Sequence, residues 1–230
     1  MHDVAKPEGQ DLRYFGQGEE DPRPAFVLRE GEKYTYSDYF NVKTPIDEIL
    51  GQFGFGFEVA KLDMPRCERD LPGIDALIAR MEAYIPLVRL NSECGRREFL
   101  VAPILSELAI QTKAIIKSEF ALDVSDALQG RLDFLVEKDH RFIVVEAKYQ
   151  DFENGYKQLA MQLVALAESG KTDDELLWGA VTTGQVWYFV CLDQPKKVFL
   201  TNTDLFVVPQ DIEELLRRLV GIVEGESPKA

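Results

Sequence analysis

The chain has 230 residues, 46% of them hydrophobic, and a formal net charge of −14 at pH 7. This length and composition can bury one substantial core, which is typical of an ordinary globular protein. Because no apolar run approaches membrane-spanning length and the opening residues lack the apolar stretch of a signal peptide, we expect a cytoplasmic protein with no membrane partner.

The number and spacing of the cysteines and histidines argue against chemistry based on either residue. Cys67, Cys94 and Cys191 lie far apart, are odd in number and form no CxxC pair, so we expect reduced thiols. His2 and His140 fall in a tail and a predicted turn, where we expect both to be exposed. Neither a disulfide framework nor a zinc site nor histidine-based catalysis is predicted.

The negative charge is unevenly distributed along the chain. Residues 91–150 carry 8 basic and 10 acidic residues, a net charge of −2, which makes this segment the least acidic. An acidic protein binds phosphate backbones poorly, and a bound cation would make the field of this segment more favourable for nucleic acid.

The front of the chain predicts a polar tail followed by a small α+β extension. Residues 1–24 are polar and rich in Gly, Pro and Glu, and we expect them to be mobile at least in part. A short hairpin with its turn near Gly31, a helix capped by Thr44 that ends near Gly51, and a strand over QFGFGFEV follow. We interpret residues 25–90 as an N-terminal extension.

Two helices and a strand are predicted next. Apolar residues at helical spacing indicate a helix that Pro86 ends. Asn91 or Ser92 then caps a longer helix, in which the interior Pro103 implies a kink. A strand over about residues 114–124 follows.

The segment RLDFLVEKDHRFIVVEAK, residues 131–148, predicts a β-hairpin with Asp139 and His140 at its tip. In this register Lys138 pairs with Arg141. One face of the hairpin is predicted to face the core, and it collects Leu132, Phe134, Val136, Ile143, Val145 and Ala147.

The other face of the hairpin collects charged residues. Asp133 falls opposite Glu146, and Lys148 projects to the same side as Glu146. Carboxylates that face each other repel, and partial burial worsens the repulsion or raises one pKa. A divalent cation such as Mg²⁺ would remove this penalty. The alternative is a solvated salt-bridge cluster on an exposed sheet face.

The remaining elements complete a layered pattern. A helix over DFENGYKQLAMQLVALAESG ends at Gly170 and carries Gln158 and Gln162 one turn apart, beside a leucine stripe. Two strands around residues 183–185, a further strand over KKVFLTN and a terminal amphipathic helix follow. The order predicts an α/β sandwich with helices on both sides of a mixed central sheet.

These motifs resemble the PD-(D/E)xK nuclease superfamily over about residues 91–192. The matching patterns are NSECGRREFLVAPIL on the first helix, Gly130 to Phe134, the ExK of Glu146 to Lys148, and the TxG..W.F pattern of Thr182 to Phe189. The greatest similarity is to the N-terminal nuclease domain of type I restriction motor subunits and related stand-alone proteins. The chain departs from the QxxxY pattern, because Gln162 stands where tyrosine is common.

The resemblance implies a restriction-endonuclease-like three-layer sandwich, with a nuclease core at residues 91–208 and a C-terminal helix and tail at 209–230. It also implies roles for particular residues. The expected catalytic residues are Asp133, Glu146, Lys148 and Gln158; the expected metal ligands are Asp133, Glu146 and Glu93; and the expected nucleic-acid contacts are Arg96, Arg97 and Gln162.

The implied activity is a Mg²⁺-dependent nuclease, a hydrolase that acts on DNA in restriction or defence, with Mn²⁺ able to replace Mg²⁺. RNA is an alternative substrate that the sequence does not separate from DNA. The alternative function is a catalytically silent protein of the same fold that binds or regulates through partners, for which the acidic surface and the missing tyrosine are the reasons. A homo-oligomer or a protein partner fits either function.

Overall fold

A computed structural model describes residues 24–148 and 152–225. These residues form an α/β fold with one seven-stranded mixed sheet. The strands are β1 (Gly56–Ala60), β2 (Ile115–Ala121), β3 (Arg131–Lys138), β4 (Arg141–Ala147), β5 (Leu176–Thr182), β6 (Val186–Asp193) and β7 (Val198–Val207). The α-helices are α1 (Tyr36–Phe40), α2 (Ile46–Gln52), α3 (Ile74–Tyr84), α4 (Glu93–Arg96), α5 (Ala102–Thr112), α6 (Phe152–Glu168) and α7 (Ile212–Glu224).

The sheet has the order β1-β7-β6-β5-β4-β3-β2. β4 pairs with β5 and β1 pairs with β7 in parallel, whereas the other neighbours are antiparallel. The parallel β4–β5 pair requires a crossover, which α6 supplies. The carboxyl end of β4 and the first turn of α6 are therefore brought to the same edge of the sheet.

Helices cover both faces of the sheet, which confirms the predicted α/β sandwich. One hydrophobic cluster joins one face to α3, α5 and α7, and a second joins the other face to α1, α2 and α6. The cluster under α6 includes Leu159, Leu163 and Leu166, which form the leucine stripe of this helix. Both faces of the β3–β4 hairpin are therefore buried.

The hairpin forms in the predicted register. Lys138 pairs with Arg141, and Asp139 and His140 adopt the left-handed φ angles of 49° and 67° that a two-residue turn requires. One detail differs, because Leu132 lies in the cluster under α6 and not with Phe134 on the opposite face. The ladder is irregular between these two residues, and the alternation of side chains changes there.

The predicted hairpin around Gly31 is wrong. A turn is present at Gly31, but within residues 24–40 the structure has no paired strands, and α1 follows instead. Tyr36 and Tyr39, which are one helical turn apart, are fully buried and donate their hydroxyl hydrogens to the carbonyls of Leu122 and Ala127. Long-range packing thus overrides the strand propensity of these aromatic residues.

The predicted cap at Thr44 is also wrong. Pro45 occupies the N-cap of α2, and the Thr44 hydroxyl oxygen accepts a hydrogen bond from the Phe26 amide at 2.6 Å. Ser92, by contrast, caps α4 as predicted, since its Oγ accepts from the Gly95 amide at 3.1 Å.

The long helix predicted after Ser92 is interrupted as Pro103 suggested. A π-helical segment, Arg97–Val101, separates α4 from α5, and Pro103 lies in the first turn of α5. A proline lacks the amide hydrogen that would continue the α-helical ladder, and π segments are a common cause of irregularity within helices.

Residues 25–90 contribute to the same sheet and to both hydrophobic clusters. β1 adds an edge strand beside β7, α1 and α2 pack on α6, and α3 packs near α5 and α7. Among the helices of the described residues, none has the length and apolar composition needed to cross a membrane. Of the predicted tail, residues 1–24, only Pro24 lies within the described residues, so His2 lies outside them. His140 is exposed, as expected.

Candidate active site

Asp133 lies in β3 at the point where its ladder with β4 stops. Phe134 pairs with Val145, but the next position is not a regular pair. Instead, the Asp133 Oδ2 atom accepts a hydrogen bond from the Ala147 amide at 2.8 Å. The side chain therefore replaces a backbone partner and is held beside the end of β4. Burial raises the pKa of Asp133, although the Ala147 amide and the Arg97 charge oppose this shift.

Glu146 lies near the end of β4 and is only 1% exposed. One carboxylate oxygen accepts from the Gln162 amide at 2.7 Å, and the other lies 2.7 Å from the Lys148 ammonium. Burial raises the pKa of Glu146 to about 7, and the nearby Asp133 charge adds to the rise. The cluster is therefore not the solvated one that the sequence left open.

Lys148 follows β4 directly and continues its ladder, since its amide donates to the Thr182 carbonyl at 2.8 Å. Its ammonium lies 4.9 Å from the centre of the Phe40 ring. Burial alone would lower the pKa of Lys148, but the Glu146 and Asp133 charges raise it above its ordinary value. The Lys148 side chain thus remains a cation beside the two carboxylates.

Arg97, the first residue of the π-helical segment, approaches Asp133 from the other side. Its Nη1 atom lies 3.3 Å from Asp133 Oδ1, and its Nη2 atom lies 2.6 Å from Glu119 Oε1. The guanidinium also stacks over the Phe134 ring at 5.1 Å. Arg97 and Lys148 therefore balance the charge of the two carboxylates in this structure.

Glu93 is at the first position of α4 and faces the same site. Burial raises its pKa, and the charges of Lys148 and Asp133 act on it in opposite directions. In residues 24–148 and 152–225, however, no three His, Cys, Asp or Glu side chains lie close enough together to hold a metal ion. Asp133 and Glu146 lie close enough for the charge of Asp133 to raise the pKa of Glu146, and Glu93 does not complete a group of three with them.

The remaining predicted site residues have different surroundings. Gln162 is fully buried and binds Glu146, and Gln158 is 5% exposed one turn earlier on the same helix face. Arg96 points to the turn between β5 and β6, where it donates to the Thr183 carbonyl and to Gln185 Oε1. The structure thus assembles Asp133, Glu146, Lys148, Arg97 and Gln162, with Gln158 beside them.

Sequence reasoning missed two neighbours of the site. Phe40 comes from α1, and Glu119 comes from an edge strand. No local pattern marks either residue, because each reaches the site only through tertiary packing.

Asp133 and Glu146 together could hold a divalent cation. Two carboxylates with raised pKa values lie together, each next to a cationic side chain. Hard divalent cations prefer carboxylate oxygens, and such a cation would relieve the repulsion that the ammonium and guanidinium groups now offset. Asp133 and Glu146 would hold the cation.

A scan against protein-family models finds no match, and a search of curated proteins finds none. The functional assignment therefore depends on the geometry of the site.

Proposed function

We propose that the protein is a Mg²⁺-dependent nuclease that hydrolyses phosphodiester bonds in DNA, with a restriction-endonuclease-like arrangement of its sheet and helices. The observation that carries this proposal is the carboxylate pair of buried Glu146 and partly exposed Asp133, with Lys148 at 2.7 Å from Glu146. The succession of α4 and α5, β2 to β4, α6 and β5 supports the proposed fold.

Asp133 and Glu146 would hold the cation between the ends of β3 and β4. Bound there, Mg²⁺ would supply a Lewis acid for the phosphate and lower the pKa of a coordinated water. Glu93 would reach the same cation through a water, since it faces the carboxylates without completing a group of three.

Lys148 would orient the attacking water and stabilise negative charge on the phosphate. Its raised pKa keeps it protonated, which suits the stabilisation of charge better than the removal of a proton. Its partly exposed side chain, 15% by area, can reach a substrate that lies over the site.

Apart from Arg96, the other residues with predicted roles surround the two carboxylates and Lys148. Arg97 is 22% exposed at the edge of the site, where a guanidinium can contact a phosphate. Gln162 would act through Glu146, which it orients by a hydrogen bond at 2.7 Å. Gln158 would assist at the phosphate from the same face of α6, and Arg96 would contact DNA at the turn between β5 and β6.

A cleavage assay with the full chain tests this proposal. Single- and double-stranded DNA and RNA are incubated with Mg²⁺ or Mn²⁺, and we expect cleavage that Asp133→Ala and Lys148→Ala each reduce roughly 100-fold or more. Lys117→Ala is the matched control, since Lys117 pairs with Glu137 on β2 and β3. Equal cleavage by all variants would assign the activity to a contaminant.

The second candidate is a protein of the same fold that binds partners without catalysis. One observation favours it: Arg97 and Lys148 already balance the two carboxylates, so that the site is electrostatically satisfied without a cation. Folded protein that cleaves none of the substrates and gains no thermal stability in millimolar Mn²⁺ would support this candidate.

A further inference from the structure

Glu119 has an unusual backbone conformation for a residue inside a strand. Its φ angle is 49°, in the left-handed region. The residues on either side of it remain paired with β3, whereas the pair that Glu119 and Asp133 would form is skipped. Left-handed backbone at a residue other than glycine is strained and persists only where the surroundings hold it.

Arg97 contacts both Glu119 and Asp133. Arg97 bridges the two skipped residues, with Nη2 at 2.6 Å from Glu119 and Nη1 at 3.3 Å from Asp133. Two different nitrogens of the guanidinium are used, so Arg97 can lose one partner and keep the other. The Phe134 ring beneath the guanidinium supports its plane.

The two ends of this bridge differ in exposure. The Asp133 side chain is 15% exposed and lies inside the site, whereas the Glu119 side chain is 52% exposed at its rim. A divalent cation that binds Asp133 competes directly with Arg97 for the same carboxylate. Glu119 is outside this competition and can retain the arginine.

We propose that Arg97 is a built-in counter-ion of Asp133 and that Glu119 is the positioning residue that retains Arg97 when a divalent cation takes Asp133. The released edge of the guanidinium then faces the phosphate of the substrate. This inference rests on the proposed function and identifies the group that positions Arg97 for the substrate.

Calorimetric titration of the full chain with Mn²⁺ alone tests the inference without any cleavage reaction. We expect Arg97→Met to bind Mn²⁺ roughly three- to tenfold more tightly than wild type, because the competing cation is gone. Glu119→Gln should weaken Mn²⁺ binding, since Arg97 is then held by Asp133 alone. Glu137→Gln, on the neighbouring strand with Lys117 as its partner, is the control and should leave the Mn²⁺ affinity unchanged.

The double variant Arg97→Met/Glu119→Gln shows whether Glu119 acts on Mn²⁺ binding through Arg97 or only through its own charge. If Glu119 acts through Arg97, Glu119→Gln should have a smaller effect in the Arg97→Met background than in wild type. Should Arg97→Met not fold, Arg97→Gln replaces it; a neutral amide places no competing cation beside Asp133, so tighter binding is again expected.

Three results would count against the inference or the function. Mn²⁺ binding to wild type with no gain in Arg97→Met would overturn the counter-ion role while leaving the proposed nuclease in place. Additive effects of the two substitutions would remove Glu119 as the positioning residue. No binding to wild type or to Arg97→Met would overturn the proposed metal-dependent function itself.

Discussion

Glu146 shows how burial and charge act on a single residue of the site. Its carboxylate has an ordinary pKa near 4.5, which burial and the Asp133 charge raise to about 7. Between these two values the folded protein binds a proton that the unfolded chain releases. The associated stability is therefore complete below about pH 4.5 and is lost as the pH rises through about 7.

Glu146→Gln should remove this pH dependence in metal-free buffer. A rise from 4.5 to about 7 corresponds to a stability difference on the order of 3 kcal/mol when Glu146 is ionised. We expect the variant to gain stability relative to wild type at pH 8 and little at pH 5, measured by denaturant unfolding with a chelator present. A gain that is equal at both pH values would contradict the raised pKa.

Gln162 is predicted to orient Glu146. Its amide donates to Glu146 Oε2 at 2.7 Å inside the protein, so Gln162→Leu leaves a buried carboxylate without this donor. We expect Gln162→Leu to cost about 1–3 kcal/mol of unfolding free energy and to weaken Mn²⁺ binding.

The neighbouring glutamine is the matched control for this prediction. Gln158 is buried one turn away on α6 but does not hold Glu146 in the described residues. Gln158→Leu should weaken Mn²⁺ binding less than Gln162→Leu does. The reverse order would contradict the orienting role of Gln162.

The first turn of α6 must lie very close to the end of β4. A Cβ atom at Gly155 would lie 2.9 Å from Val181 Cγ1 and 3.3 Å from Lys148 Cγ. The glycine thus allows the helix to approach β5 and the stem of Lys148 together. Lys148 is positioned by this contact as well as by its ladder hydrogen bond to β5.

Gly155→Ala should push α6 away from the sheet and displace Lys148. We expect a loss of about 1–3 kcal/mol in unfolding free energy, which denaturant titration measures. Gly51→Ala in α2 is the control, since nothing lies within 4 Å of its Cβ position. That substitution should stabilise the protein by up to about 1 kcal/mol, and equal losses in both variants would contradict the close approach at Gly155.

The elements differ in how well the sequence predicts them. The β3–β4 hairpin was predictable in its register from Phe134 to Val145, because a two-residue tip and side-chain alternation fix which residues face each other there. The irregular ladder at Asp133 was not predicted. The α1 region was not predictable either, because the hydroxyls of Tyr36 and Tyr39 bind the carbonyls of Leu122 and Ala127, 86 and 88 positions away in the chain. Glu119 was missed for a similar reason, since its left-handed backbone has no signal in the sequence.

At the scale of the whole molecule, the N-terminal extension is part of the same sheet and of both hydrophobic clusters as the rest of the described residues. β1 pairs with β7, and residues of α1 and α2 pack under α6. Phe40, from this extension, lies 4.9 Å from Lys148. The sequence of residues 25–90 did not predict that this extension shares the core. A short strand and short helices have the same sequence pattern whether they form a separate layer or part of a shared core.

Removal of residues 1–90 should therefore prevent folding. The truncated chain exposes the face of α6 that α1 and α2 cover and the edge of β7 that β1 pairs with. We expect loss of a cooperative thermal transition, measured by circular dichroism and calorimetry on the fragment beside the full chain. A cooperative transition in residues 91–230 would establish them as an independent domain.

The most direct measurement is anomalous diffraction from crystals of the full chain soaked in Mn²⁺. We predict a peak at coordination distance from Asp133 and Glu146, with the Arg97 guanidinium moved from Asp133 and still paired with Glu119. The absence of a peak at these carboxylates, with Arg97 still bound to Asp133, would contradict a metal-dependent active site at the ends of β3 and β4.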